Sequence, residues 1–259
     1  MIKYKGNGVI MEVEINGINI VYEKSGTGDQ VMVLMHGWGQ SSMMMEPIAN
    51  HFNRFFTVYN YNFPGFGGSD HPKTAYSTID YTNDFKLFLD RFKITDPILV
   101  GHSFGCRIAL RFASENVVKK MVLTGAAGLK SKRGLDYYAK VYSYKLGKQI
   151  RKIPMFSEVG ANKKVGSSDY QALDGIMRAT FVKVVNEDIK PCLSKIKAET
   201  LLVYGSNDDA TPLWMGQYYE KHLPNAGLAV FENDDHYAYY HQMDRFLRVM
   251  DIFLDKEIK

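Results

Sequence analysis

The chain has 259 residues, of which 46% are hydrophobic and 23% charged, and its formal net charge is +4. This length suits one sizeable core, so a single α/β domain is expected. The mild charge, without a basic stripe interleaved with aromatic residues, argues against a nucleic-acid partner, and no apolar run is long enough to cross a bilayer.

The amino-terminal segment and the cysteines favour the cytoplasm. MIKYKGNGV lacks the apolar core and cleavage pattern of a signal peptide. Cys106 and Cys192 are too few for a disulfide framework and lack metal-ligand spacing. We therefore expect a cytoplasmic monomer or homodimer with a small-molecule substrate, no membrane partner, no metal and no organic cofactor.

The first predicted element is an antiparallel hairpin. VIMEVEI and INIVYE alternate apolar and polar residues, and Asn16-Gly17 joins them. Asn-Gly between two alternating runs is the strongest short hairpin signal.

The segments that follow have a different pattern of hydrophobicity, since six of them are short and almost continuously apolar. They are VMVLM (31–35), FFTVYNY (55–61), PILVG (97–101), KMVLTG (120–125), TLLVYG (200–205) and GLAVFE (227–232). Strands buried on both faces read this way. Helical patterns lie between most of them, over residues 44–54, 78–93, 104–115, 213–223 and 238–255. This alternation predicts a doubly wound, mostly parallel sheet.

One interval, residues 126–199, is too long for a simple crossover. One helical face runs from Leu135 to Ile150, and a second, opened by a capping box at Ser168, runs from Tyr170 to Phe181. The interval therefore predicts a helical cap over the sheet. The predicted domains are a core over residues 1–129 and 191–259 and a cap over residues 130–190.

Ser103 is the candidate nucleophile. Gly101-His102-Ser103-Phe104-Gly105 matches G-x-S-x-G and lies between an apolar strand and a helical pattern. A strand-to-helix turn this sharp requires small residues on both sides and holds the serine hydroxyl clear of the sheet. Cys106 lies beyond the turn, where a small buried residue is the usual explanation.

A serine needs a base, and His236 is the candidate. It follows the strand GLAVFE through a short loop, and His241, five residues later, is the reserve. His102 adjoins Ser103, but neighbours on an extended chain point apart. Three further histidines are not favoured as the base. His222 lies within a helical pattern, and His51 and His71 precede the nucleophile in the chain, which is not the expected order.

An acid must orient the imidazole of the base. The loop after TLLVYG offers Asp208 and Asp209, and the residues alone leave both open. Asp234 and Asp235 are too close to His236 in sequence to reach its ring nitrogen. The order Ser103, acid, His236 is the order expected when the nucleophile lies on such a turn.

The oxyanion formed by attack on a carbonyl needs fixed donors. Phe104, the residue after the nucleophile, would supply one backbone N–H. Trp38, between Gly37 and Gly39 in the loop after VMVLM, would supply the second.

With these motifs, the chain resembles the α/β-hydrolase superfamily along essentially its whole length, in the lid-bearing branch that contains esterases. VMVLMHGWG is similar to the strand and oxyanion loop of the family, and GHSFG to its nucleophile turn. Gly205-x-x-Asp208-x-x-x-Pro212 matches the family's acid motif, so the resemblance implies Asp208 as the acid.

Two positions depart from the family pattern. YNFPGFGGSD resembles the D-x-P-G-x-G-x-S segment of the family, with Asn62 where aspartate is usual. Asp235 precedes His236 where glycine is usual.

A serine nucleophile favours acyl transfer through an acyl-enzyme, with an ester as the first choice and a thioester or lactone close behind. Two alternatives use the same triad. HSFGCRIAL is similar to the menaquinone-pathway synthase, a lyase, in having Arg107, although a helix residue paired with an acid is the simpler interpretation. HYAYY resembles C–C hydrolases, which have tryptophan in place of Tyr237. A receptor that keeps the triad is a third alternative.

The expected pocket is apolar, for a small to medium hydrophobic acyl or aryl group. Its candidate lining residues are Trp38, Met43, Tyr138, Tyr142, Met177 and Phe181. A cluster of Lys and Arg over residues 130–152 adds the hypothesis that the cap attracts anionic substrates.

Overall fold

The structure is a computed structural model that describes residues 3–5, 8–130 and 175–258. It confirms the hairpin. β2 (Gly8–Ile15) and β3 (Ile18–Ser25) pair antiparallel with Ile15 opposite Ile18. Asn16 and Gly17 both have positive φ, 53° and 73°, as the tight turn between two twisted strands requires. A short strand that the sequence did not predict, β1 (Lys3–Lys5), pairs with the outer edge of β2.

The remaining strands form the predicted parallel sheet. They are β4 (Val31–Met35), β5 (Thr57–Tyr61), β6 (Ile98–His102), β7 (Lys120–Thr124), β8 (Glu199–Gly205) and β9 (Ala226–Phe231). Over the described residues the strand order is β1-β2-β3-β5-β4-β6-β7-β8-β9, with β4 to β9 parallel. β3 joins β5 antiparallel, so the hairpin extends the parallel sheet at one edge.

Helices cover both faces of this sheet. They are α1 (Glu46–Phe52), α2 (Thr78–Arg91), α3 (Phe104–Ala113), α4 (Gly175–Asn186), α5 (Lys190–Leu193), α6 (Leu213–His222), α7 (Ala238–His241) and α8 (Met243–Phe253). One core packs α2, α3 and α6 against the sheet, and the other packs α1 and α8. Because strand residues such as Val33 and Leu34 enter opposite cores, the strands read as continuous apolar runs.

Two predicted helices are interrupted. The expected helix over 238–255 is divided at Gln242, whose backbone leaves the helical region at φ −111° and ψ 47°. The Gln242 side chain donates to Asp234 Oδ2 at 2.8 Å, which ties this break to the preceding loop. The expected helix over 44–54 begins as a 3₁₀ turn, Ser42–Met45, before α1.

Only part of the predicted cap lies within the described residues. Tyr138, Tyr142 and the first predicted cap helix are outside them, so the domain boundaries remain a prediction. α4 packs on the core, where the Tyr76 N–H donates to Thr180 Oγ1 at 3.0 Å. Among the described residues, no helix is both long and apolar enough to span a membrane.

Candidate active site

Ser103 occupies the sharp turn between β6 and α3. Its backbone has φ 50° and ψ −103°, a region that non-glycine residues rarely adopt. Its N–H donates to the Thr124 carbonyl at 3.0 Å, which anchors the turn to the end of β7. The side chain is half-buried and lies at the carboxyl edge of the parallel strands.

The glycines around Ser103 are sterically required. A Cβ on Gly105 would collide with the Met35 carbonyl of β4, and a Cβ on Gly101 would come within 3.0 Å of the Cys106 nitrogen. Strand and helix therefore approach more closely here than any side chain permits. Cys106 itself is fully buried, and this burial raises the pKa of its thiol, so it is not a competing nucleophile.

Asp208 lies in the loop after β8 and is 3% exposed, whereas Asp209 is exposed. Its Oδ1 accepts the N–H groups of Ala210 and Thr211 at 2.8 and 2.7 Å. Its Oδ2 accepts the Thr211 hydroxyl at 2.6 Å and His236 Nδ1 at 2.8 Å. Burial raises the pKa of Asp208, but the hydrogen bonds and the charge of His236 outweigh it, so the net pKa lies below the ordinary value.

The loops carrying Asp208 and His236 are fastened together. A Cβ on Gly205 would collide with the carbonyls of Asp234 and Asp235, so the second loop packs directly on the end of β8. The Asn207 N–H also donates to the Asp234 carbonyl at 2.9 Å. The carbonyls of these two loop acids thus lie at the packing contact, while the Asp235 side chain is exposed.

His236, the predicted base, makes its hydrogen bond to Asp208 through Nδ1. Since a carboxylate only accepts hydrogen bonds, the Nδ1 proton is donated to Asp208, which leaves Nε2 as the acceptor nitrogen. Within the described residues, Ser103 Oγ makes no hydrogen bond to His236. In unliganded active sites this bond is often long and tightens when substrate binds.

Three of the other histidines are engaged elsewhere. His241, the reserve candidate, pairs through Nδ1 with Asp234 Oδ1 at 2.8 Å, and this hydrogen bond raises its pKa. His222 is exposed and stacks on Tyr218, and His51 pairs with Asp251 at 2.8 Å.

The two predicted oxyanion donors lie in neighbouring segments. Phe104 is the first residue of α3, so its N–H has no intrahelical partner. Neither this N–H nor that of Trp38 donates a hydrogen bond to any described residue. The Trp38 and Phe104 rings meet edge to face with centroids 5.3 Å apart. Both N–H groups therefore remain the predicted donors to an oxyanion.

His36 holds the oxyanion loop. Its Nδ1 donates to the Gly37 carbonyl at 2.7 Å, and its Nε2 accepts the Phe63 N–H at 3.2 Å. Only a neutral imidazole can do both. Burial lowers the pKa of His36 to about 4, in agreement with this role.

Comparison with known proteins supports the architecture. A family model described as the alpha/beta hydrolase fold matches residues 30–159, half of the chain. The chain belongs to the α/β-hydrolase family. It is 26% identical, over 95% of its own length and 94% of the relative's, to a 2-hydroxy-6-oxo-6-phenylhexa-2,4-dienoate hydrolase of Comamonas testosteroni.

Solved structures show the same fold. The crystal structure of a bromoperoxidase from Bacillus anthracis aligns with a TM-score of 0.74 and 22% identity, covering 95% of this chain and 99% of that one. An esterase from Exiguobacterium antarcticum aligns with a TM-score of 0.72 and 22% identity, with the same coverage.

In this α/β-hydrolase, three of the predicted pocket residues are Trp38, within the predicted oxyanion loop, and Met177 and Phe181, on α4. Trp38 contacts Phe181 of α4, with ring centroids 5.2 Å apart, and Phe66, at 4.9 Å. Met177 of α4 packs on Gly65, where a Cβ would come within 2.7 Å of its Cε. We call Trp38, Phe66, Phe104 and Phe181 the aromatic wall. The structure does not connect Met43 with this wall, and its side chain is 62% exposed.

Arg107, whose side chain suggested the lyase alternative, is buried on α3. It donates to the Glu187 carbonyl at 3.3 Å, while Arg111 forms the ion pair with the Glu187 carboxylate. The predicted pairing of Arg107 with an acid is therefore replaced by a bond to a backbone carbonyl. Arg107 thus packs from α3 against the segment between α4 and α5, and this packing accounts for its burial.

Asn62 shows why this chain departs from the usual aspartate. The side chain is buried, its Oδ1 accepts the Ser42 N–H at 2.7 Å, and its Nδ2 donates to the Val21 carbonyl at 3.1 Å. A carboxylate could not make the second bond.

Sequence reasoning missed His102. We expected its side chain to point away from the site, yet its ring centroid is 4.8 Å from that of His236. The turn at Ser103 breaks the alternation of an extended chain, so adjacent residues need not diverge. The signal available in the sequence was a second histidine within the nucleophile motif.

Among the described residues, Asp234, Asp235 and His241 bring one ligand atom each to within 4.8 Å of one another. The hydrogen bond between His241 and Asp234 and the donation from Gln242 account for this cluster. His236 is not part of it.

Proposed function

We propose that this α/β-hydrolase is a serine hydrolase that cleaves a carboxylic ester, or a related thioester or lactone, through an acyl-enzyme. The observation that carries the proposal is the 2.8 Å hydrogen bond from His236 Nδ1 to a buried Asp208. It leaves Nε2 as the acceptor nitrogen, and we infer that this nitrogen takes the proton of Ser103, which is held on a strained turn.

The reaction follows from these groups. Ser103 Oγ attacks the ester carbonyl carbon, and its proton moves to His236 Nε2. The alcohol departs with that proton, leaving an acyl-enzyme. A water then attacks, giving its proton to His236, and the carboxylic acid is released as the proton returns to Ser103.

Asp208 stabilises the imidazolium formed in each half of this reaction. Its carboxylate is already charged because its pKa is lowered, and four donors hold it in place. The N–H groups of Trp38 and Phe104 are the proposed donors to the oxyanion.

The aromatic wall supports a hydrophobic acyl or aryl substrate. Trp38 and Phe181 are only half-buried, so part of each ring is available to a ligand. Their edge-to-face and tilted packing leaves an apolar surface beside the proposed oxyanion donors. The Phe181→Ala variant should lose kcat/KM for a phenylacetate or benzoate ester more than for an acetate ester.

A C–C hydrolase is the second candidate. The Comamonas testosteroni relative, which aligns over 95% of this chain, is named as a hydrolase of a 2-hydroxy-6-oxo-dienoate. This chain has Tyr237 where the C–C hydrolases it resembles have tryptophan. We therefore place ester cleavage first.

The deciding experiment is a panel of p-nitrophenyl acetate, butyrate and benzoate, with a thioester, a lactone and a 2-hydroxy-6-oxo-dienoate. Rapid turnover of esters that Ser103→Ala abolishes supports the proposal. Turnover of the dienoate alone would assign the C–C reaction instead. Single-turnover labelling with slow release would indicate a receptor.

A further inference from the structure

His102, the last residue of β6, packs against the proposed base. Its ring centroid lies 4.8 Å from that of His236, at an interplanar angle of 48°, and 4.7 Å from that of Tyr239. On another side, a Cβ on Gly37 would come within 2.8 Å of His102 Cδ2. The imidazole of His102 is therefore fixed between the oxyanion loop, the base and α7.

The nitrogens of this ring do no visible work. His102 is fully buried, and neither ring nitrogen makes a well-formed hydrogen bond to a described residue, although the Thr124 backbone lies close enough to favour the protonated ring. Buried polar atoms without a partner are rare and costly, so an apolar ring would be the more stable choice. The contact of His102 with His236 is therefore a packing of two rings and not a hydrogen bond.

His102 also remains uncharged. Burial first, and then the nearby His236, lower its pKa to about 3. The other titratable groups facing His236 are Asp208, from the loop after β8, and Tyr237 of its own loop. Gly125, the residue that follows β7, carries no titratable group and also lies at this contact. The proton released by Ser103 therefore has one imidazole to move to.

The hydrogen bond to Asp208 does not by itself fix the base. A ring held at Nδ1 alone can still turn about that bond and carry Nε2 away from the serine. A flat neighbour packed beside the ring removes this freedom, and displacements of about 1 Å in such groups can cost roughly 10²-fold in rate.

We propose that His102 is a positioning residue, whose neutral ring sets the plane of the His236 imidazole so that Nε2 faces Ser103 while Nδ1 stays on Asp208. The inference rests on the serine–histidine pair of the proposed function but not on the substrate being an ester.

A fluorophosphonate probe tests the proposal without knowledge of the natural substrate. Ser103 Oγ attacks phosphorus, the phosphorus–fluorine bond breaks, fluoride leaves, and His236 takes the serine proton. Intact-protein mass spectrometry then gives the second-order labelling rate. The variants are His102→Ala, His102→Leu and His102→Phe, with Phe52→Leu as a control that disturbs the core between α1 and α8 and the sheet.

We expect His102→Ala and His102→Leu to label roughly 10- to 100-fold more slowly. His102→Phe should label within about threefold of wild type, because it keeps the flat ring. With any ester that is turned over, the loss should appear in kcat and not in KM. The pH dependence of the labelling rate should have the same shape in His102→Phe and in wild type, because the buried His102 ring has a pKa lowered to about 3 and stays neutral over the assay range.

Wild-type rates in both His102→Ala and His102→Leu would overturn the proposal, as would a His102→Phe variant as slow as they are. If His102→Ala does not fold, His102→Leu and His102→Phe provide the comparison. If no ester is turned over but the labelling pattern holds, only the ester proposal fails. If wild type is not labelled at all, both fail.

Discussion

Gly125 lies directly against the ring of His236, so that a Cβ at this position would come within 3.0 Å of both Nδ1 and Cε1. The backbone of Gly125 has φ +52°, a conformation that side chains also disfavour. Three residues therefore contact the proposed base. Asp208 accepts a hydrogen bond from its Nδ1, and His102 packs beside its ring. Gly125, which follows β7 and has no side chain, leaves the space that the ring occupies.

The Gly125→Ala variant should displace the His236 ring. We expect kcat for an ester substrate to fall roughly 10- to 100-fold. The strained φ should also lower the free energy of unfolding by about 1 kcal/mol. The matched control is Gly227→Ala in β9, where a Cβ meets nothing within 4 Å. Equal kcat values in the two variants would contradict this account of the base.

The Asp208→Asn variant should reduce kcat roughly 10²- to 10⁴-fold, because an amide neither fixes the imidazole tautomer nor stabilises its charge. Asp209→Asn is the control one residue away, and its exposed side chain predicts kcat within about twofold of wild type. Steady-state kinetics with a p-nitrophenyl ester measure both. A larger loss of kcat in Asp209→Asn than in Asp208→Asn would show that Asp208 is not the acid.

Acid should destabilise the fold partly through His102. The pKa of His102 in the folded chain is about 3, below the ordinary value of 6.5. Between these two pH values His102 is protonated in the unfolded chain and neutral in the folded chain. This part of the stability is complete above pH 6.5 and is lost as the pH falls toward 3, at up to about 1.4 kcal/mol per pH unit.

The His102→Phe variant removes that proton uptake. Between pH 6 and pH 4 its free energy of unfolding, measured by urea titration, should fall by about 2 kcal/mol less than that of wild type. Parallel slopes for His102→Phe and wild type would show that His102 takes up its proton as readily in the folded chain as in the unfolded chain.

Asn62→Asp, which would restore the residue usual in the family, should destabilise this chain. The substitution removes the donor to the Val21 carbonyl and places a carboxylate in a buried site, at a cost of about 2–4 kcal/mol. Asn83→Asp on the exposed side of α2 is the matched control, expected within about 0.5 kcal/mol. Thermal unfolding of both variants at pH 7 measures the difference, and equal midpoints would refute the argument.

The sequence by itself determined the elements and the identity of the candidate groups. Continuous apolar runs such as VMVLM predict strands buried on both faces, and Asn16-Gly17 predicts the turn, because these are local properties of a few residues. The helix division at Gln242 escaped prediction, since its side chain is held by Asp234, in a different element.

Only the tertiary structure decided how the site is assembled. The choice of Asp208 over Asp209 rested on resemblance until the fold showed one carboxylate buried against His236 and the other exposed. The contact between His102 and His236 joins residues far apart in the chain, and no local pattern encodes it. Such distances depend on how strands and loops pack across the sheet edge, and packing is a property of the whole fold.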